Sequence, residues 1–465
     1  MSNAPTNSRA ASRADSGSVA YAEVERALLA RWPETKLQPS LDRIRDLVGL
    51  LGDPQTAYPS IHLTGTNGKT STSRMIDTLL GARGLRTGRF TSPHVEQMTE
   101  RISIDGAPIA PDAFVATYRE VAPYAALVDA ASEHPLSFFE LMVAMAYAAF
   151  ADAPVDAAVV EVGMGGAWDA TNVIDASVAV IAPIAVDHAK YLGDTPEEIA
   201  VEKVGIVKPG ATVVLAEQTD AVLEVVYERA NEVGATVLRE GIDFGVVSRL
   251  PAVGGQVVTL RGLRGEYDEL FLPLYGAHQA GNAALALAAV EAFAGEDRLA
   301  DELVRDAFAE FTSPARLEVI RRAPTILVDA AHNPHGAAAT VEAIRDSFAF
   351  DPLIGVVAVM ADKDAEGLLA ELEPVLGQVV CTRNSTDRSM SPEALGAVAA
   401  DIFGEHRVRV VSRLDDAIAD AVALAETGGS QGESIGSGGV LVTGSVVTAG
   451  EARALLRRRT PGEQP

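Results

Sequence analysis

The sequence predicts an α/β protein, with a doubly wound N-terminal ATPase domain built on a P-loop and a smaller Rossmann-like C-terminal α/β domain. Three observations lead there. Short apolar runs such as Ala157–Val162 and Ser177–Ile181 alternate with helix-period segments, the pattern of a parallel sheet covered on both faces. The early apolar run Ile61–Leu63 leads straight into Thr64-Gly-Thr-Asn-Gly-Lys69-Thr70. After Phe311 the alternation restarts, through a predicted hinge at Thr-Ser-Pro-Ala-Arg316. A chain of 465 residues has room for two or three domains. The expected division is a disordered extension over 1–18, a first domain over 19–312 and a second over 313–465.

Residues 1–18 lack the apolar stretch that a signal peptide needs. Apolar residues at helical spacing predict helices over 19–31 and Leu41–Leu51. Beyond the glycine-rich segment, the expected order is a helix Ser73–Ala82, a strand Arg86–Phe90, a long apolar helix Ser137–Phe150 and the two strands named above. The segment 211–275, Val-rich and alternating at Gly254–Arg261 and Glu269–Leu272, reads as a small β insertion. In the second domain, strands at Thr325–Asp329, Leu353–Met360, Gln378–Thr382, Arg407–Val411 and Val440–Thr443 alternate with helices beginning near His335, Ala365, Pro392, Asp415 and Ala449. Thr427–Gly439 reads as a flexible loop.

Charge and composition exclude several classes. Lys and Arg number 38 against 64 Asp and Glu, a net charge of −26. Such a surface repels phosphate backbones and anionic lipids, so neither a nucleic acid nor a membrane is an expected partner. The longest apolar runs, Leu141–Ala151 and Ala176–Val186, are shorter than the ~18–20 residues of a membrane helix. The one cysteine, Cys381, excludes an internal disulfide framework, a CxxC pair and a thiolate zinc cage. A soluble, cytoplasmic protein is expected. No GxGxxG opens a helix after a strand in the second domain, which argues against a dinucleotide-binding oxidoreductase.

The chemistry-bearing residues cluster at predicted strand ends. A loop at Thr66-Asn67-Gly68-Lys69-Thr70 aims backbone N–H groups and a helix N-terminus at phosphate oxygens. Lys69 adds a point charge there and Thr70 a hydroxyl for magnesium. The full Walker pattern is not met, because Leu63 stands five positions before Gly68. Glu161 ends a buried strand, where a carboxylate is costly unless it is paired or bound to a cation. His188 follows the next strand in the same way, and Ser92 lies in Thr-Ser-Pro-His94 after the strand 86–90. In a doubly wound sheet these C-terminal ends converge on the ligand crevice. Lys203, on a helix starting near Thr195, reads from its helical position alone as a solvated lysine. His278-Gln-Ala-Gly-Asn282 opens an alanine-rich helix over 283–294. Asn333-Pro334 fits a helix N-cap and first turn, which leaves Asp329 and His332 at a strand end without a structural explanation. Asp362-Lys-Asp364 repeats that theme. Two domains presenting polar strand ends point to a cleft enzyme.

The motifs TGTNGKTS, TSPH, EVGMGGAWDATN, DHAKYLG, EKVGIVKPG, HQAGN, PARLE, DAAHNPHG and a late TGS, in this order from about residue 20 onward, resemble the Mur-ligase superfamily, and within it the folylpolyglutamate synthase/dihydrofolate synthase family. The resemblance makes 19–312 a central ATP-binding domain and 313–465 a glutamate-ligase domain. It implies ATP-dependent amide ligation with Mg2+, in two sites, in which Thr66, Asn67, Gly68, Lys69 and Thr70 hold ATP phosphates. Ser92, Glu161 and His188 would bind magnesium, and Lys203 matches a lysine that is often carbamylated in the family. Asn282, Arg316 and Asp329 would complete the ATP site. His332 and 362–364 would lie near incoming glutamate, and Asp169 would border the pterin. Lys69, His188, Lys203 and His332 are then the expected catalytic residues. Two departures stand out: Ala167 replaces an arginine common in the family, and Ala315 a glycine.

The implied reaction adds L-glutamate to dihydropteroate and to reduced folates through an acyl phosphate, by a monomeric enzyme. The polyglutamylating activity alone is one alternative. A cell-wall Mur ligase is another, although only 63 residues precede Thr64, little room for a UDP-binding domain. A P-loop ATPase switch is the alternative of a different class.

Overall fold

The structure, a computed structural model, describes residues 8–33, 39–295, 297–427 and 438–458. The chain divides into two compact units that interleave along the sequence. The first comprises Met1–Gly245, Arg261–Gly265 and Asn282–Val304, and the second Val246–Leu260, Glu266–Gly281 and Arg305–Pro465. Segments 246–260 and 266–281, well before residue 312, therefore group with the second unit.

The first unit holds an eight-stranded sheet. Its order is Ala107–Pro108, Ile102–Ile104, Thr87–Phe90, Ala157–Glu161, Ser60–Thr64, Val178–Ile181, Thr212–Leu215 and Thr236–Arg239. The last six are mutually parallel, and the first two form an antiparallel edge. From Ser60–Thr64 the chain crosses to one side, to Thr87–Phe90, and later returns past it to the other, at Val178–Ile181. This reversal makes the C-terminal end of Ser60–Thr64 the topological switch point, where open α/β sheets hold ligands.

The helices follow from local signals. Ser137 caps Phe138–Asp152 in a capping box with Glu140, and that helix buries Leu141, Met142, Met145 and Phe150 against the sheet with Phe114 and Leu47. Thr195 caps Pro196–Lys203, whose Ile199 and Ala200 pack with Val213, Leu215 and Val226 on the opposite face. Buried apolar strands between two such layers are what the continuous apolar runs encode.

Several expectations are corrected. The segment 211–275 is not one β insertion: Thr212–Leu215 and Thr236–Arg239 extend the parallel sheet, joined by the helix Asp220–Val233. Only Gly245–Ala252, Gly255–Arg261 and Glu266–Leu272 form a separate three-stranded sheet. The helix after the glycine-rich loop starts at Lys69, four residues earlier than its apolar period indicates. The first helix spans Ser8–Leu29 and so begins inside the expected extension, while residues 1–7 lie outside the described residues, as does 428–437 of the expected loop.

The second unit's six-stranded sheet runs Glu318–Arg322, Thr325–Val328, Gly439–Thr443, Leu353–Val357, Gln378–Cys381 and Val408–Val410. Only Glu318–Arg322 is antiparallel. Its helices start at Pro334, Ala365, Pro392, Leu414 and Val446, within three residues of the positions their sequence signals mark.

Candidate active site

The strand Ser60–Thr64 ends in a row set by register: Leu63 pairs with Glu161 and Thr64 with Ile181, while Phe90 lies beside Val160. The glycine-rich loop therefore leaves the sheet with Glu161 on one side and Ala182–Ala185 on the other. Thr66 N–H donates to Pro183 O at 2.9 Å and Thr66 Oγ1 to Ala185 O at 2.8 Å. Gly65 and Gly68 are required by their surroundings. Gly68 caps the helix at φ +85°, and a Cβ there would fall 2.5 Å from Asn282 Oδ1. Asn282, buried on the helix Ala277–Ala294, thus rests against the loop. Asn67 and Lys69 sit at the partly open rim.

Two lysines converge on one carbonyl. Lys69 Nζ donates to Gly65 O at 3.0 Å and to Thr66 O at 3.1 Å. Lys203 Nζ donates to the same Gly65 O at 2.8 Å. Lys203 is 4% exposed, not the solvated lysine that its helical position suggests. Burial, with the Lys69 charge beside it, pulls its ammonium down to about 7 against the opposing fields of Asp187, Asp169 and Glu202. A large fraction of this amine is neutral at physiological pH.

Glu161, 1% exposed at the end of its strand, accepts from Thr70 Oγ1 at 2.8 Å. A buried carboxylate beside a hydroxyl at the mouth of a phosphate loop is a hard-oxygen donor set that fits magnesium, which keeps waters and phosphate oxygens in its shell. Among the described residues no three His, Cys, Asp or Glu side chains cluster as a complete protein cage. His188, half-exposed, stands at φ +54° before the short helix Ala189–Leu192, its Nε2 4.0 Å from Asp187 Oδ2. Left-handed backbone at a non-glycine residue is strain of the kind found at binding loops. Ser92 follows the strand Thr87–Phe90 on the same rim, its loop anchored where Glu100 accepts from Val95, Glu96 and Gln97 N–H and where Arg101 Nε donates to His94 Nδ1.

The loop 163–173 fills the space between these parts. Asp169 accepts at Oδ2 from Gly163 and Met164 N–H, and at Oδ1 from Thr171 N–H and Oγ1. Burial raises it to about 6 despite those bonds. Its carboxylate is thus spent on its own loop, two residues beyond Glu161, so it shapes the site from within. Gly166 could not carry a Cβ, which would lie 2.7 Å from Glu202 O and Lys203 O. Ala167 lies against Gly205 in the same seam, closed by Asn172 Nδ2 donating to Ala167 O and Gly205 O.

In the second unit the sequence-marked residues organise a loop around Arg316. Asp329 accepts at Oδ2 from Leu317 N–H and at Oδ1 from Ala331 N–H and Thr340 Oγ1. Glu318 accepts from Ala315 N–H at 2.8 Å and from Arg453 Nε at 2.6 Å. Ala315 and Leu317, on either side of Arg316, stand at φ +57° and +47°. His332 Nδ1 contacts Ala330 O at 3.0 Å, and Asn333 caps the helix Pro334–Ser347 as its sequence predicts. Asp362 is engaged with Arg388 at 2.9 Å and Asp364 caps the helix Ala365–Leu372, which gives both acids a structural role. Pattern reading passed over His62, Thr171, Glu202 and Glu318. The lone imidazole in the run Ser60–Thr64 is the signal that would have exposed the first.

A P-loop with a buried strand-end carboxylate and two lysines on one carbonyl, followed by a second Rossmann-like unit, defines the ATP-dependent Mur-type ligases. Family comparison agrees: residues 63–290 match the Mur ligase middle domain and residues 315–446 the Mur ligase glutamate ligase domain. The chain belongs to the dihydrofolate synthase/folylpolyglutamate synthase family of Mur ligases. It is 51% identical to the dihydrofolate synthase/folylpolyglutamate synthase of Mycobacterium tuberculosis over 456 residues, 94% of either chain. A solved M. tuberculosis folylpolyglutamate synthase complexed with ADP superposes with a TM-score of 0.92 at 50% identity, covering 97% of this chain and all of that one. A folylpolyglutamate synthase complex with AMPPCP and folate superposes at 0.81 and 30% identity, over 94% of this chain and 99% of the other.

Proposed function

We propose that this ligase adds L-glutamate to dihydropteroate and to reduced folates, the two activities in the name of its M. tuberculosis relative. The observation that carries the reading is the convergence of Lys69 and Lys203 on Gly65 O beside the buried Glu161. The γ-phosphoryl group of ATP passes to a substrate carboxylate oxygen, ADP departs, and an acyl phosphate forms. The glutamate amine attacks the acyl carbon, loses its proton, and the tetrahedral intermediate expels phosphate. Backbone N–H groups of 66–70 and the N-terminus of Lys69–Ala82 hold the phosphates, and Lys69 offsets charge on the group in transfer. Thr70 and Glu161, with Ser92 and His188 on the adjoining loops, would hold magnesium, which when bound neutralises phosphate charge. Asn282 steadies the loop through Gly68. Arg316 and Asp329 are assigned to ATP binding and His332 to glutamate, with Asp169 shaping the pterin side.

The Lys203 amine, its pKa pulled down to about 7 by burial and the Lys69 charge, supports carbamylation. It attacks CO2, a proton leaves, and the cation becomes a carbamate beside Lys69. The single cysteine, Cys381, is buried and free, which supports a cytoplasmic setting, and a monomer is the working unit.

The test is ADP release with Mg-ATP and L-glutamate, comparing dihydropteroate, tetrahydrofolate and no acceptor, with products weighed by mass spectrometry. Stimulation by both acceptors is expected, and Lys69→Ala should abolish it. Stimulation by tetrahydrofolate alone would restrict the enzyme to polyglutamylation. Acceptor-independent ATP hydrolysis would replace the ligase with a switch.

A further inference from the structure

A buried polar chain leads from the strand Ser60–Thr64 to Asp169, and its members His62, Thr171 and Tyr147 have no part in the steps above. His62 is fully buried in the middle of the strand Ser60–Thr64. Its Nε2 lies 2.9 Å from Thr171 Oγ1. Thr171 Oγ1 in turn donates to Asp169 Oδ1, and its backbone is fixed by Tyr147 OH donating to Thr171 O at 2.7 Å. Tyr147 is itself tied to Tyr58, whose hydroxyl donates to Tyr147 O.

The hydrogens on this chain have one arrangement. An ionised Asp169 only accepts, and it takes the single hydroxyl hydrogen of Thr171. Thr171 Oγ1 must then receive a hydrogen from His62, so the imidazole is the Nε2–H tautomer. The other nitrogen, Nδ1, is buried and has no hydrogen-bond partner among the described residues, so a second ring proton would have no acceptor. Burial, reinforced by the Lys208 charge, accordingly lowers this imidazole to about 3.

We propose that His62 is a positioning residue for the metal and phosphate rim, acting through Thr171 and Asp169. The strand that carries His62 continues two residues later into the phosphate loop. The carboxylate at the far end of the chain clamps Gly163 and Met164 N–H, two and three residues after Glu161. A second tie between the same elements, Thr64 Oγ1 donating to Gly165 O at 2.8 Å, makes the linkage two-pointed. Fixing both ends sets the place of the Glu161 carboxylate relative to Thr70 and Lys69. Groups that hydrogen-bond a metal ligand directly change affinity or activity by about 10–100-fold when lost, and this chain, which reaches Glu161 through its loop backbone, belongs at the lower end of that range.

The inference rests on reading the rim as a Mg-ATP site. Its test is the Mg2+ concentration that gives half-maximal ADP release at saturating ATP, with kcat, in His62→Leu, His62→Gln, Thr171→Val, Thr171→Ser and the His62→Leu/Thr171→Val double variant. Gln Nε2 can replace the imidazole donor and Ser keeps the hydroxyl. The Leu and Val variants should each need about tenfold more Mg2+, and Gln and Ser should restore most of it. The double variant should be no worse than the poorer single one, since both cut the same chain. Loss of thermal stability with an unchanged Mg2+ requirement would reduce His62 to a core residue and overturn the proposal, as would effects that multiply in the double variant. If His62→Leu does not fold, the contrast between Thr171→Val and Thr171→Ser decides alone. A wild type without acceptor-stimulated ADP release would overturn the ligase reading instead, and Mg-ADP titration of the same variants by calorimetry would then test the positioning role.

Discussion

Lys203 shows how two residues can set each other's chemistry. Its ammonium is buried and shares a carbonyl with Lys69, and both effects favour the neutral form. The folded pKa of about 7 lies below the ordinary value of 10.5. Between those values the unfolded chain holds more protons than the folded one, so this group makes stability rise with pH. Lys203→Met keeps the buried stem and removes the charge, and Gly65 O retains its bond from Lys69. In CO2-free buffer, denaturant titration should find the variant more stable than wild type below pH 7, by on the order of 5 kcal/mol at ~1.36 kcal/mol per pKa unit. The gap should close as pH rises towards 10. A gap that is constant or widens would mean that the lysine is not held neutral. The variant should be inactive in the ligation assay.

At the scale of an element, the loop around Arg316 is held by two carboxylates that accept from its backbone. Glu318, braced by Arg453, takes Ala315 N–H, and Asp329 takes Leu317 N–H. These bonds keep two non-glycine residues in the left-handed region, at roughly 1–2 kcal/mol each. Ala315, where glycine is usual in the resemblance, is tolerated because its methyl is small and fully buried. Ala315→Gly should leave stability within about 1 kcal/mol of wild type, the relieved strain offsetting the added unfolded-state entropy. Ala315→Val should lose at least about 2 kcal/mol by chemical denaturation, because a β-branched residue is a severe outlier at positive φ. Equal stability of the Gly and Val variants would show that this conformation is not enforced.

For the whole molecule, the two units carry separate apolar cores, one around Met142, Phe114 and Phe150 and one around Leu353, Leu368 and Leu395. The phosphate loop, Glu161 and Lys203 all belong to the first unit. Ligand binding stabilises only the folded form that holds the site, by about 2.7 kcal/mol at a hundredfold excess over Kd. Mg-ADP should therefore shift protection from hydrogen exchange most strongly in the strands Ser60–Thr64 and Ala157–Glu161, and Lys69→Ala should abolish that shift. Protection confined to the second unit would place the nucleotide elsewhere.

The fold class, the restart of the α/β rhythm after Phe311 and the phosphate loop were legible in the sequence because each rests on local period and composition. Residue types at strand ends were legible for the same reason: Glu161 and Asp329 are conspicuous after apolar runs. Contacts made by folding were not. Lys203 looked solvated because its helix pattern says nothing of Gly65, 138 residues away in sequence. Thr212–Leu215 was misassigned because a four-residue apolar strand reads alike in a parallel sheet and in an insertion. By itself the sequence determined which elements form and which chemical groups stand at their ends. The tertiary structure alone decided which of those groups meet, and hence which are buried, which hydrogen each carries, and which lysine is neutral, because desolvation and charge coupling arise only once distant segments share one interior.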